Sequence, residues 1–171
     1  KLRLWGRDAL KALQRVYGSD MGRISDGKVK YSAMCNDDAC IIDDGVVVKR
    51  AENDYYFTTS TARAGATVEW IRYHTRYDSW QFHMVNLTDA FGVINMAGPN
   101  ARKVLEKVGC NIDLGKDEFP FMAVREAQLG GYPVQLFRVS FSGELAFEIN
   151  IDSGYALGMW KTVIAAGEEY G

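Results

Sequence analysis

The sequence predicts an α+β fold built mainly on antiparallel sheet. Three observations carry that prediction. Strand and helix patterns mix without the strict alternation of a doubly wound sheet. From Tyr55 onward they run strand, helix, strand, strand, helix, the order of a ferredoxin-like unit awaiting its last strand, which residues 121–129 supply. Gly130-Gly131 is a tight-turn signal that joins two neighbouring strand patterns. A length of 171 residues suits one domain with a proper hydrophobic core, so residues 1–171 read as a single domain.

In chain order, residues 2–5 read as the end of a strand. Gly6-Arg-Asp8 then opens a helix in which Ala9, Leu10, Leu13, Val16 and Tyr17 recur at helical spacing, and Gly18-Ser-Asp20 closes it. Residues 21–27 are loop-like. Residues 28–35 alternate as a half-buried strand does, with Val29, Tyr31 and Ala33 on one face. Asn36-Asp-Asp38 supplies turn chemistry. Residues 41–48 form a strand interrupted by two acids and a glycine, and 55–59 form another after the Asn53-Asp54 turn. An amphipathic helix over residues 61–77 turns Val68, Ile71 and Trp70 inward. Residues 81–87 and 91–97 read as the two strands of a hairpin. Gly98-Pro99-Asn100 starts a helix with Ala101, Val104, Leu105 and Val108 on one stripe, and capping accounts for it without an anion. Strands at 121–129 and 132–140 flank the glycine pair, and another covers 144–151. A last helix over 155–170 turns Trp160, Val163 and Ile164 inward.

Composition excludes several functions. Apolar residues make up 47% and charged residues 25%, the proportions of a soluble globular protein. A formal net charge of -2 leaves no electrostatic footprint for nucleic acid or a membrane surface. No stretch approaches the roughly 18 to 20 apolar residues of a membrane span. The chain starts mid-pattern at Lys1 with neither signal peptide nor initiator Met, so an excised piece of a larger cytoplasmic subunit is expected. Cys35, Cys40 and Cys110 are odd in number and lack zinc spacing; they read as reduced, buried thiols, and no metal site is predicted. His74 on a helix and His83 on a strand have no partner motif and read as structural or exposed.

Three features can carry chemistry. Asp43-Asp44 lies inside a strand, where consecutive residues point to opposite faces, so one acid faces the packed side or a cleft. Burying a carboxylate costs several kcal/mol unless it is paired; the alternative is a bulge or strand end with both acids wet. Ser140-Phe-Ser-Gly-Glu144 breaks a strand and puts Glu144 at the start of the next. A carboxylate there suits the flat edge of an amino-pyrimidinone, although hairpin acids are usually solvated. Tyr31, Phe119, Phe121 and Phe141 offer faces for stacking a planar ligand, or simply form core. No G-x-G-x-x-G follows a strand, and no P-loop, H-E-x-x-H or G-x-S-x-G is present.

Three segments in order resemble one family. Tyr31-Ser-Ala-Met-Cys-Asn36 followed by Ile41-Ile-Asp-Asp44 resembles the motif preceding the folate-site acid of glycine-cleavage aminomethyltransferases. Ile94 to Leu105, with Gly98-Pro-Asn-Ala101 inside it, resembles their helix start. Phe137-Arg-Val-Ser-Phe-Ser-Gly-Glu-Leu-Ala-Phe-Glu148 resembles their strand bearing a pterin-binding glutamate. The chain is thus identified as a member of the aminomethyltransferase (glycine cleavage system T protein) folate-binding superfamily. Ser-Phe-Ser-Gly-Glu144 and Phe119-Pro-Phe-Met122 are most similar to the C-terminal region of sarcosine oxidase alpha subunits. Dimethylglycine dehydrogenase and a stand-alone aminomethyltransferase remain alternatives, as does a non-catalytic assembly module. The tRNA- and iron–sulfur-related members carry a Lys-Gly-Cys signature that is missing here.

The resemblance implies a truncated folate-binding domain that captures formaldehyde or an iminium from an N-methyl amine such as sarcosine, as 5,10-methylenetetrahydrofolate. Asp44 matches the catalytic acid near folate N10, and Tyr31 and Glu144 match pterin-pocket positions. Thr59 stands where the glycine-cleavage branch has asparagine, and Phe119 and Phe141 fall where aromatic walls are expected. An unperturbed Asp titrates near ~3.9, so electrostatic stabilisation of a developing cation suits Asp44 better than proton donation. FAD and NAD are expected only on other parts of an amine-oxidising parent enzyme, whose other subunits or domains are the expected partners beside folate. The family fold continues beyond residue 171 with a basic residue and a small barrel, so this piece alone is expected to bind folate weakly or not at all, and to be inactive.

Overall fold

The structure is a computed structural model and describes residues 1–170. The chain forms two compact units, Lys1–Thr88 and Asp89–Gly171. Each is an antiparallel sheet carrying helices, so the expected α+β class holds in both.

The first unit contains strands β1 (Leu2–Trp5), β2 (Val29–Cys35), β3 (Ile41–Ala51), β4 (Asp54–Phe57) and β5 (His83–Asn86), in sheet order β2-β3-β4-β1-β5. Helices α1 (Ala9–Val16) and α2 (Ala64–Thr75) complete it. Ala9, Ala12, Leu13 and Val16 form one stripe of α1 and are buried with Leu2, Leu4, Tyr55, Phe57 and Ile71. Each large apolar side chain among them contributes roughly 1.5–3 kcal/mol on leaving water. The Asp8 carboxylate, 4% exposed, ties the start of α1 to residues ahead of β5: it accepts from the Gln81 N–H (2.9 Å) and from Lys11 Nζ (2.7 Å). The Gln81 amide, then Lys11, holds its pKa below the ordinary value. Val68 and Trp70 of α2 are partly buried and Ile71 fully so, as their spacing predicts.

The second unit contains β6 (Phe91–Ala97), β7 (Ala123–Leu129), β8 (Tyr132–Arg138) and β9 (Ala146–Asp152), in sheet order β6-β9-β8-β7, with α3 (Ala101–Val108) and α4 (Ala156–Gly167). Ala101, Val104 and Leu105 of α3 meet Phe147, Ile149 and Ile151 of β9 in its core. Gly130 and Gly131, at φ +56° and +83°, make the two-residue β7–β8 turn that the pair predicts; left-handed φ at both positions matches strand twist and suits glycine.

Four expectations are corrected. Residues 81–87 and 91–97 are not a hairpin. β5 pairs with β1 (Leu2↔Asn86, Trp5↔His83) and β6 with β9, so the strands belong to different units. The ferredoxin-like set beginning at Tyr55 is divided at the same point. In β2 the buried side chains are Val29, Ser32 and Met34, while Tyr31 is 57% exposed; a tyrosine counts as apolar in a pattern, yet its hydroxyl favours a wet partner. In α4 the buried residues are Met159, Val163 and Ala166, and Trp160 and Ile164 are half-exposed. That helix has one charged residue in twelve, Lys161, so its periodicity does not mark an inner face.

Candidate functional site

The β2–β3 ladder decides what the acid pair faces. Tyr31 lies opposite Val46 and Ala33 opposite Asp44, so these four share one face, with Tyr31 diagonal to Asp44. The Tyr31 hydroxyl donates to Asp44 Oδ2, and both side chains are exposed. The bond to Asp44 holds the Tyr31 phenol above its ordinary pKa. A carboxylate exposed to solvent and engaged through one oxygen remains available to a cationic or N–H-bearing ligand.

Asp43 points the other way and is 5% exposed. Its carboxylate accepts from the Ser60 N–H (3.2 and 3.3 Å to the two oxygens) and from the Thr67 hydroxyl (3.5 Å). The expectation that one acid of the pair faces the packed side therefore holds, and Asp43 is that acid. Next to it, residues 58–60 lie directly against β3. Thr58 N–H donates to the Val46 carbonyl (2.9 Å), and Val46 N–H donates to the Thr58 hydroxyl (3.2 Å). A Cβ on Gly45 would stand 2.0 Å from the Thr58 carbonyl oxygen, so glycine permits this approach. Thr59, half-buried in the same segment, donates its hydroxyl to the Ser60 carbonyl (3.1 Å). On the inner side, burial and then the charges of Asp43 and Asp44 push the Tyr17 phenol well above its ordinary pKa.

The sequence-predicted residues of the second unit are more scattered. Glu144 is exposed in the bend at 140–145 rather than in a strand, since β9 begins at Ala146. It lines a cavity of about 380 Å³ with Phe121, Arg138, Ser140, Gly143, Leu145 and Ala146. Ser140 Oγ accepts from the Gly143 N–H (2.9 Å) and shapes the bend. Phe141 is 98% exposed and is not among the lining residues. Phe119 is fully buried, its ring 5.9 Å from that of Phe147, so it presents no face to a ligand.

Sequence reasoning passed over three contributors. Ser60 and Thr67 supply the donors to Asp43 but carry no motif, because their partner lies 17 and 24 residues away. Arg138 shares the Glu144 cavity and donates to the Phe119 carbonyl; burial, then the charge of Arg102, pushes its pKa down. An arginine two residues before Ser140 was the available signal. The cysteines are free thiols as expected, but Cys35 and Cys40 are exposed at the β2–β3 turn and Cys110 is half-buried, which corrects the expectation of burial. No helix among the described residues is long and apolar enough to cross a membrane.

Comparison with known proteins places these features in a family. The sarcosine oxidase subunit alpha of Corynebacterium sp. strain U-96 is 33% identical over 173 residues, covering 99% of this chain and 18% of that protein. The aminomethyltransferase of Shouchella clausii is 30% identical over 167 residues, covering 97% of this chain and 44% of that protein. The chain therefore spans well under half the length of either relative. Among solved structures, the glycine cleavage system aminomethyltransferase T from Bartonella henselae superposes with a TM-score of 0.80 at 23% identity, over 95% of this chain and 42% of that one. A chain of the heterotetrameric sarcosine oxidase from Corynebacterium sp. U-96 superposes with a TM-score of 0.71 at 19% identity, over 99% of this chain and 79% of that one. At those identities the superpositions speak for the fold alone. The model of the GCVT N-terminal domain matches residues 1–171, and the chain belongs to that family.

Proposed function

We propose that this chain is a tetrahydrofolate-binding, one-carbon-transfer domain of a cytoplasmic amine-oxidising enzyme of the sarcosine oxidase type. The observation that supports this most is the exposed, hydrogen-bonded Tyr31–Asp44 pair on β2–β3, within a chain matched over its whole length by one family. Tetrahydrofolate supplies nucleophilic nitrogens that take up a one-carbon unit, delivered as formaldehyde or as the iminium of an N-methyl amine. Asp44 orients the reacting N–H through its available oxygen and stabilises positive charge developing beside it. Tyr31 fixes the carboxylate by its hydroxyl and leaves its half-exposed ring for a planar partner. Thr59 offers a polar contact near the same strand, and Glu144 suits the donor edge of an amino-pyrimidinone. Phe141 is free to close on a ligand, whereas Phe119 acts through the core of its unit. Amine oxidation belongs to a flavin, and its FAD and NAD to other domains or subunits of the parent.

The likeness to aminomethyltransferases supports a second reading, a stand-alone enzyme of glycine cleavage. Both readings are tested in the full-length parent protein with Asp44→Asn. Titration calorimetry with 5-formyltetrahydrofolate should show binding retained within a few-fold. Methylene transfer from the parent's amine should fall by about 10² to 10³, the range expected when one preorganised charge contact is lost. Full transfer by Asp44→Asn would remove Asp44 from the chemistry. Unchanged binding and transfer in both Asp44→Asn and Glu144→Ala would leave an assembly module.

A further inference from the structure

The acid that the family resemblance leaves without a role is Asp43, and its surroundings are unusual for a strand residue. It is 5% exposed, and its known contacts are with two elements other than its own strand: the backbone N–H of Ser60 and the hydroxyl of Thr67 in α2. A buried carboxylate left without donors costs several kcal/mol, so the segment carrying Ser60 is held where Asp43 needs it. Two further contacts act on the same stretch: the Thr58–Val46 hydrogen bonds, and the approach of the Thr58 carbonyl to Gly45, which leaves no room for a side chain. The strand positions from Asp43 to Val46 are thereby joined to residues 58–60 on one side. On the other they are joined to β2, where Tyr31 meets Asp44.

We infer that Asp43 is a positioning residue: by binding the Ser60 N–H and the Thr67 hydroxyl it locks residues 58–60 and α2 to β3, and so sets the placement of Asp44 against Tyr31 and of Thr59 beside them. The role is geometric. What Asp43 contributes is acceptor oxygens at a fixed place, and asparagine, which keeps one, fills the role in part.

The inference rests on the proposed role of Asp44 for its functional meaning, but its test does not need folate. The Tyr31 phenol reports the Tyr31–Asp44 bond, because that bond raises its pKa. In the full chain with 13C-labelled tyrosine, Tyr31→Phe identifies the resonance, and its titration is followed in three variants. Asp43→Ala removes both acceptors and should bring the Tyr31 pKa back toward its ordinary value of about 10. Asp43→Asn removes the charge yet keeps an acceptor, and should leave Tyr31 raised. Ser60→Pro deletes the donor at a residue whose φ of -54° already suits proline, and should reproduce Asp43→Ala without touching the acid. Where Asp43→Ala does not fold, as circular dichroism would show, Ser60→Pro carries the test. Equal loss in Asp43→Asn and Asp43→Ala would mean that charge, not position, is felt at Tyr31, and would overturn the inference. So would an unchanged Tyr31 in folded Ser60→Pro. In the parent protein, Ser60→Pro should also weaken 5-formyltetrahydrofolate binding or slow methylene transfer by about tenfold, the scale of one lost hydrogen bond to a charged group. If Tyr31 responds while folate never binds, positioning stands and the folate reading fails.

Discussion

In the first unit, Asp8 and Asp43 are withdrawn from water and supplied with donors, and the acid beside them, Asp44, is held by Tyr31. In the second unit, Glu144 stands in solvent on a bend whose internal bonds are Ser140–Gly143 and Ser142–Glu144, at 2.9 and 3.4 Å. The difference teaches how each region can meet a ligand. The first unit presents a carboxylate whose direction is already decided by strand register and by contacts on both sides, so little ordering is left for binding. The second presents a carboxylate on a segment that still has conformational freedom to lose, which binding has to offset.

Three substitutions or conditions sharpen that contrast, and the largest effect is expected at Gly45. Gly45→Ala puts a methyl 2.0 Å from the Thr58 carbonyl, a backbone atom that cannot turn away, and should cost about 3 kcal/mol or more. Of the four tryptophans, Trp5, Trp70 and Trp80 lie in the first unit and Trp160 in the second, so urea unfolding followed by fluorescence in a Trp160→Phe background isolates the loss. A midpoint equal to that of the Trp160→Phe parent would show that residues 58–60 are not held against β3.

An intermediate effect is expected from pH. Tyr17 is raised by burial and then by Asp43 and Asp44, Tyr31 by the bond to Asp44, and Tyr55 by burial; all three are in the first unit. Each folded value exceeds the unfolded one near ~10, so the folded unit binds more protons there. Its stability is accordingly full below about pH 10 and falls as pH rises through the raised values. Tyr17→Phe should flatten that alkaline decline; an undiminished slope would place the proton demand elsewhere.

The smallest effect belongs to the second unit. A Cβ at Gly143 would meet nothing within 4 Å, so Gly143→Ala faces only the penalty of φ +87°, about 1–2 kcal/mol, which a flexible bend relaxes in part. Denaturation of the Trp160-reporting unit should move little, and a loss as large as that of Gly45→Ala would show the Glu144 bend to be as tightly held as β3.

Much of this was legible before any coordinates. The strands at 2–5, 28–35, 41–48 and 132–140, the helix stripes of α1 and α3 and the glycine-pair turn follow from period and turn chemistry, which are local. The Tyr31–Asp44 pairing was half legible: the family resemblance marked both residues, and only the ladder register puts them on one face. Strand alternation required that one of Asp43 and Asp44 be buried, but α2 and residue 60 decide which. The false hairpin has the same origin. β5 resembles a hairpin strand until β1, about eighty positions earlier, takes its edge.

By itself the sequence determined the α+β class, the positions of most elements and the family, because short-range periodicity and ordered motifs are written in neighbouring residues. Tertiary structure alone decided which face of β2 and of α4 is buried, that β5 and β6 part into separate units, that Phe119 is core while Phe141 is solvated, and that Asp43 is the acid with a buried anchor. Those outcomes depend on which distant donors and apolar surfaces arrive at a residue. A hydroxyl on a tyrosine, an apolar helix without a polar side and two adjacent acids each leave that choice open until the partners are in place.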